Sequence, residues 1–574
     1  MPGPRPTVVN GPPPRRTAST PSPRPPDSIR QFESLALTLS RDGWTGGTGM
    51  RGMARAKPGY GGLPFRNALE RILPPVQARA WADEAANGLY NRTPQASARR
   101  GIEARQLTAV IAPLVFLFVW GMAWPPLTGL VLSLALIAIL ALSALRLAAA
   151  ILSPAPLRAP KLDDDRLPIV TILAPMFREA AVLPQLVRAL DRIDYPAEKT
   201  DIKLIVEAVD TETLKAARAC DLDARFEIVV VPDGTPRTKP RALNFAMRFA
   251  VGSVICIYDA EDVPHPRQVR TAAEVFTTHE GRLACLQAPL GWYNHDRNWL
   301  TRQFALEYAA HFHALLPLLA RMGWSLPLGG TSNFFRRDAL ETVGLWDPCN
   351  VTEDADLGFR LAVHGFRTGV IALATGEEAP VSLAAWLAQR SRWIKGHAQT
   401  FAVHTRAPQS LFAAAGRAGP LSLGATLGAT VVSALLHAPT VLLCLLWLAS
   451  EPAQPVRWAA LALLVVGYGA AAVCAAAGAR RAGLTPRLTD LLTMPAYWPL
   501  QTLAAIRALW ELRSNPYFWA KTEHGHSPAP ETAHRTEAEC PSISPSSSWA
   551  SSRPDSASRS GSRASRRTSH ADRA

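Results

Sequence analysis

Apolar positions are spread unevenly along this 574-residue chain. Two apolar runs fill Leu107 to Leu152 and break at Trp124-Pro-Pro126. Each is roughly twenty residues long, the ~20 that a helix needs to cross a hydrocarbon core. Residues 107–152 are therefore expected to hold two transmembrane helices joined by a tight turn. Leu421 to Leu448 and Trp458 to Ala477 predict a second pair within residues 421–479, rich in the alanines and glycines that suit close helix packing. Leu488 to Leu512 is less purely apolar, holds Pro495, Pro499 and Arg507, and predicts a helix lying in the membrane interface rather than a fifth span.

The middle, residues 160–405, has a different rhythm. Ile169–Ala174, Ile202–Val206, Phe226–Val231 and Val254–Tyr258 are short runs rich in β-branched residues. Helical patterns lie between them, as at Ala181–Ile193 and Lys239–Ala250. Strands alternating with helices predict an α/β domain with a mostly parallel, Rossmann-like sheet covered on both faces. Ligands in such sheets bind beyond the carboxyl ends of the strands.

Composition changes the picture at the ends. Residues 1–65 are rich in Pro, Arg and Gly, and residues 526–574 in Ser and Arg, so both are expected to be disordered. Residues 66–106 are expected to form a short helical region. Met1 is followed by prolines and arginines rather than an apolar run, so no secretory signal peptide is expected. Much of the formal net charge of +15 sits in these basic termini. It would permit nonspecific nucleic-acid binding, but the folded part has no basic stripe with interleaved aromatics, and no specific nucleic-acid partner is expected. Arg99, Arg100 and Arg105 precede the first apolar pair, and Arg146, Arg158 and Lys161 lie at or beyond its end. The positive-inside rule then puts both flanks, and the domain that follows, in the cytoplasm of a multi-pass inner-membrane protein. The seven cysteines are scattered, which argues against a disulfide framework or a zinc site.

Candidate chemistry sits at the strand ends. Asp259, Glu261 and Asp262 follow one apolar run, and a hard cation such as Mg²⁺ or Mn²⁺ binds through such carboxylates together with phosphate oxygens. A solvated turn reads the same way. Lys239 opens a helical pattern and suits a phosphate, or is a surface lysine. Glu207 and Asp210 close another strand. Asp354, in Thr352-Glu-Asp354, is placed to take a proton from an acceptor hydroxyl, or to cap the helix it begins. Gln389, Arg390, Arg392 and Trp393 offer guanidinium donors for a diphosphate and an aromatic face for a sugar ring, or anchor a helix beside the membrane.

Taken together, Asp259-Ala-Glu-Asp262, Gly329-Gly-Thr-Ser-Asn333, Thr352-Glu-Asp354 and Gln389-Arg-Ser-Arg-Trp393 resemble the membrane-bound family-2 glycosyltransferases, which include cellulose, chitin and hyaluronan synthases. The resemblance covers roughly residues 165–400 and the flanking apolar segments. It implies a GT-A fold, a UDP-sugar donor, a divalent metal and inversion at the anomeric carbon. It implies Asp354 as base, Asp259 and Glu261 at the metal, and Arg392 on the diphosphate with Gln389 beside it. Glu207 and Asp210 would match the nucleoside site and Lys239 a phosphate contact. Trp393, Gly330 and Thr331 would meet the acceptor.

Two departures stand out. The family commonly has Asp-x-Asp at the metal; here Glu261 holds the third position with Asp262 next to it, so the second ligand is either one. The early acids read Glu-Ala-Val-Asp rather than as adjacent aspartates. Residues 484–525 are expected to hold the interfacial helix and, from Asn515 to Gly525, a loop that covers the donor. The acceptor would be a polysaccharide or a lipid-linked sugar, with membrane lipids around the spans and room for export partner proteins. A catalytically inactive membrane scaffold of the same fold is the alternative reading, and the intact carboxylates speak against it.

Overall fold

The computed structural model describes Glu70 and residues 73–518, apart from 280, 451 and 452. The basic termini and the end of the expected donor-covering loop, residues 519–525, lie outside the described residues.

The four β-branched runs form β1 (Val170–Met176), β2 (Thr200–Glu207), β3 (Phe226–Val231) and β4 (Val254–Ile257). They pair in parallel, with β1 between β2 and β4 and with β3 outside β2. All eight residues of β2 are buried, as a strand covered on both faces requires. Three of them are charged, and all are compensated: Lys203 lies 3.0 Å from Asp201 and also pairs with Glu227 on β3, and Glu207 pairs with Arg241.

Beyond β4 the sheet changes direction. β6 (Leu283–Gln287), β8 (Asn333–Arg336) and β9 (Arg367–Val370) complete the order β3-β2-β1-β4-β8-β6-β9, with β8 antiparallel to both of its neighbours. This reversal matters for the site. Ile257, the last residue of β4, pairs with Asn333, the first of β8. The turn after β4 and the glycine turn before β8 therefore emerge side by side. A small second sheet, β5 (Val263–Pro264), β10 (Thr375–Glu377) and β7 (Leu290–Trp292), lies close by in the chain and brings in Glu377.

The helix Leu383–Thr405 carries the Gln-Arg-Ser-Arg-Trp segment. Its Trp386 is buried and donates from its indole N–H to the Tyr497 hydroxyl at 3.0 Å. Further along it Lys395 donates to the Phe518 carbonyl at 2.9 Å, and Gln399 donates to the Pro516 carbonyl at 2.9 Å. The segment 515–518 is thus fastened to this helix.

The apolar runs are helical. Ala104–Ala123 and Pro125–Leu152 are separated by the single extended residue Trp124. Among the described residues, Ala418–Ala449 and Gln454–Arg481 are two helices long and apolar enough to cross a membrane, and Leu136–Leu152 is a shorter apolar stretch. The run from Leu488 resolves into two helices, Leu488–Tyr497 and Leu500–Ser514, which meet around Pro499.

Candidate active site

The turn after β4 is locked from within. The Asp262 carboxylate accepts the Asp259 N–H at 2.8 Å and the Thr331 hydroxyl, and is fully buried. Burial, with Asp259 and Glu261 close by, pushes its pKa well above the usual carboxylate range. Asp262 was one of the expected cation candidates, but its carboxylate faces the protein and not the cavity. Asp259 and Glu261 do line that cavity. The adjacent acids differ because only one of them can turn inward to close the turn.

Lys239 sits in the first turn of the helix Lys239–Ala246. Its ammonium pairs with Asp259 and donates to the Gly330 carbonyl at 2.7 Å. Burial alone would lower its pKa, but Asp259, Glu353 and Asp354 hold it well above that of an ordinary lysine. The turn Gly329–Thr331 is thereby tied to the turn after β4. Thr331 completes the tie: its buried hydroxyl is committed to Asp262 and the Ile257 carbonyl, the latter at 3.2 Å. Any contact of this turn with a bound molecule is left mainly to the glycines.

At the end of β2, both carboxylate oxygens of Glu207 accept from one nitrogen, Nη1 of Arg241, each at 3.2 Å. Burial raises the Glu207 pKa and Arg241 opposes the rise. Glu207 lines the cavity. Asp210, expected beside it, instead caps the helix Thr211–Ala219, accepting the Thr213 N–H at 3.2 Å and the Arg178 N–H.

Thr352 precedes the helix Glu353–Val363. Asp354 Oδ1 accepts the Ala355 N–H at 2.7 Å, so part of the capping expectation holds. The other oxygen points across the cavity: a Cβ built on Gly330 would lie 3.4 Å from Asp354 Oδ2. Burial pushes Asp354 up to about 6 and Glu353 up to about 8, the latter also through its charged neighbour.

Gln389, Arg392 and Trp393 line the same cavity. The Gln389 Oε1 is buried with no hydrogen-bond partner among the described residues. Burial lowers the Arg392 pKa against the pull of Glu353, Asp354 and Asp259, which places its guanidinium among the acids. Arg390, also expected to offer a donor, is committed elsewhere. It makes a two-armed pair with Glu307 at 3.0 and 2.7 Å, and its guanidinium lies 4.8 Å from the Trp393 ring centre. Trp393 in turn stacks on Phe304 at 6.1 Å.

Glu377, Glu307 and Tyr308 also line the cavity, and sequence reasoning missed them. Glu377 Oε1 is buried without a partner among the described residues, and burial among Asp262, Glu261 and Asp259 raises its pKa well above normal. The adjacent Glu377 and Glu378 were readable as an acidic pair, but nothing in their spacing ties them to Asp259.

Among the described residues no three His, Cys, Asp or Glu side chains converge on one point. A cage made wholly of protein is thus absent there. Two wall carboxylates, Asp259 and Glu261, fit a cation whose remaining ligands are phosphate oxygens and waters, the usual state of Mg²⁺.

Residues 168–396 match the model of the family described as glycosyltransferase like family 2. These residues therefore carry a family-2-like glycosyltransferase domain, built on a mostly parallel sheet. It is 27% identical over 312 residues to the beta-monoglucosyldiacylglycerol synthase of Synechocystis sp. (strain ATCC 27184 / PCC 6803 / Kazusa), covering 53% of this chain and 62% of that protein. It is 28% identical over 259 residues to the UDP-forming cellulose synthase 1 catalytic subunit of Komagataeibacter xylinus, covering 44% of this chain and 33% of that one. A solved mannosyltransferase from Pyrobaculum calidifontis, in complex with GDP-Man and Mn2+, aligns with 66% of this chain and 98% of its own at a TM-score of 0.40 and 19% identity. These matches span less than two thirds of the curated relatives' own length.

Proposed function

We propose that this protein is an inverting membrane glycosyltransferase that moves a sugar from a UDP-sugar to a polysaccharide or lipid-linked acceptor. The observation that carries the reading is the placement of Asp354 Oδ2 opposite Gly330, in the cavity that also holds Asp259, Glu261 and Arg392. UDP is favoured because the cellulose synthase relative is named as UDP-forming.

Each group then has a task. Glu207, held by Arg241, faces the nucleoside end. Asp210 stiffens that wall as a helix cap. Lys239, Arg392 and Gln389 take the diphosphate, where charged donors offset its negative charge. Bound Mg²⁺ or Mn²⁺ would neutralise diphosphate charge from Asp259 and Glu261. Asp354 accepts the acceptor hydroxyl proton as that oxygen attacks the anomeric carbon from the face opposite the leaving group. Trp393 and Gly330 shape the acceptor side, with Thr331 fixing the turn. The leaving UDP stays against Lys239 and Arg392, so charge development on the departing oxygen is stabilised where it forms.

Four membrane spans, two before and two after the domain, hold it at the cytoplasmic face of the inner membrane. The helices Leu488–Tyr497 and Leu500–Ser514 lie in the interface.

Membranes carrying the protein, incubated with radiolabelled UDP-sugars and Mg²⁺ or Mn²⁺, should release UDP and transfer label from one sugar of the panel. No release from any donor would overturn the reading.

A further inference from the structure

The cavity does not end at the catalytic carboxylates. A single space of about 1550 Å³ runs from Glu207 and Asp259 past Asp354 and Trp393 and on between the apolar helices, reaching Leu436, Trp447 and Leu463. Its character changes along the way. The first half is lined by the charged groups described above. The second is lined mainly by aliphatic side chains such as Ile139, Val432, Leu436, Leu443 and Leu464. Three of these, Val432 (56% exposed), Leu436 (54%) and Leu443 (39%), belong to the helix Ala418–Ala449 and keep much of their surface exposed. The apolar half lies between helices that a bilayer would surround.

Sugar hydroxyls would find few partners there. His437 and Tyr468 satisfy each other at 2.8 Å. The exception lies at the change of character. Arg146, on the helix Pro125–Leu152, lines the cavity with its guanidinium 5.7 Å from the Trp498 ring centre. Among the described residues it forms no ion pair, and the nearby acid Glu307 is already engaged by Arg390. An unpaired guanidinium beside an aliphatic chamber suits the oxygens of a lipid headgroup.

We propose that the acceptor is a membrane lipid with a free headgroup hydroxyl, entering sideways between the apolar helices. Its acyl chains fill the aliphatic half, Arg146 holds the headgroup oxygens, and the hydroxyl reaches Asp354. This rests on the glycosyltransferase reading and names its acceptor class. In the transfer, the lipid oxygen bonds to the anomeric carbon as the bond from that carbon to the diphosphate breaks. The electron pair of that bond leaves with UDP, and the hydroxyl proton passes to the Asp354 carboxylate.

The full chain is reconstituted in phosphatidylcholine vesicles, with phosphatidylglycerol or diacylglycerol added as the hydroxyl lipid, and cello-oligosaccharide is supplied outside as the soluble competitor. The labelled UDP-sugar that is turned over should put its label into the organic extract, only when a hydroxyl lipid is present. Label in the oligosaccharide or in insoluble polymer, with a blank extract, overturns the proposal. No UDP release from any donor overturns the glycosyltransferase reading and this proposal with it.

Two sets of variants separate the acceptor role from folding. A Cβ on Gly467 meets nothing within 4 Å, so Gly467→Ala, Leu and Phe grow into the chamber. Lipid transfer should fall stepwise along that series, with protection by UDP against thermal unfolding showing that each variant is folded. A folded Phe variant that transfers at full rate overturns the chamber assignment. Arg146→Gln should raise KM for the lipid about tenfold at near-constant kcat, the size of one hydrogen bond to a charged group. Arg146→Lys should restore it, and an unchanged KM in the Gln variant removes Arg146 from the headgroup.

Discussion

Gly396 packs directly against Thr352. A Cβ at position 396 would lie 2.4 Å from both Cγ2 and Oγ1 of Thr352, so only glycine allows the helix carrying Arg392 to come this close to the segment carrying Asp354. Thr352 is buried and has no room to retreat. Gly396→Ala should therefore destabilise the domain by about 1–3 kcal/mol, as overpacking does. It should also slow transfer, because Thr352 immediately precedes Glu353 and Asp354. Thermal unfolding and turnover measured together test this. A stable variant with normal turnover would mean that the two elements adjust independently.

The same contact shows what the sequence could and could not reveal. The strands were readable because β-branched runs at short intervals have few other uses. Asp259, Asp354 and Arg392 were readable because their motifs occur in a fixed order. The interior contacts were not. Glu307 and Arg390 meet across two helices, and neither helix's periodicity marks that pairing. Asp262 and Glu261 are adjacent in sequence, yet one turns inward and the other outward, and only the hydrogen bonds from Asp259 and Thr331 decide which. Asp210 looked like a ligand and is a cap, a role acids at helix starts share with binding sites.

Asp354→Asn separates the base from the cap. Asn still accepts the Ala355 N–H but has no basic carboxylate. Transfer should fall by ~10²–10⁴, the range for a positioned base, while UDP affinity stays near that of the parent. The pH profile should agree. Burial raises Asp354 to about 6, and the base must be deprotonated, so kcat should hold above that value and fall as pH drops through it. Glu353, pushed to about 8, is largely protonated at neutral pH, so Glu353→Gln should retain most turnover. Near-normal turnover in Asp354→Asn would end the base assignment.

The acids after β4 should divide by role. Asp259→Ala and Glu261→Gln should weaken cation-dependent UDP binding, and Asp259→Ala also removes the partner of the Lys239 ammonium. Asp262→Ala removes the acceptor for the Asp259 N–H and the Thr331 hydroxyl, and should cost about 1–3 kcal/mol of stability. Calorimetric UDP titration with and without chelator, beside thermal unfolding, distinguishes them. UDP affinity indifferent to chelator would remove the cation from Asp259 and Glu261.

Topology has its own test. Reporter fusions after Arg406 and after Ser450 bracket the helix Ala418–Ala449. The first should read cytoplasmic and the second periplasmic. The same signal at both would mean that this helix does not span.

Arg390 and Arg392, two residues apart on one helix, should behave in opposite ways. Arg390 is nearly buried, and its guanidinium is matched by both Glu307 oxygens and caged by aromatic rings. Removing it leaves Glu307 without its partner beside the apolar helices, and breaking a buried pair from one side costs about 3–5 kcal/mol. Arg390→Ala should therefore lower the unfolding temperature and lose activity through loss of folded protein. Arg390→Lys should rescue it only in part, because an ammonium cannot meet two oxygens in the same plane. Arg392 faces the cavity, and burial already works against its charge. Arg392→Ala should lower the unfolding temperature less than Arg390→Ala does and weaken UDP binding, since its guanidinium lines the cavity that would hold the diphosphate. If Arg392→Ala unfolds the protein and Arg390→Ala affects UDP binding alone, the two roles are reversed, and the diphosphate belongs on the Glu307 side of the helix.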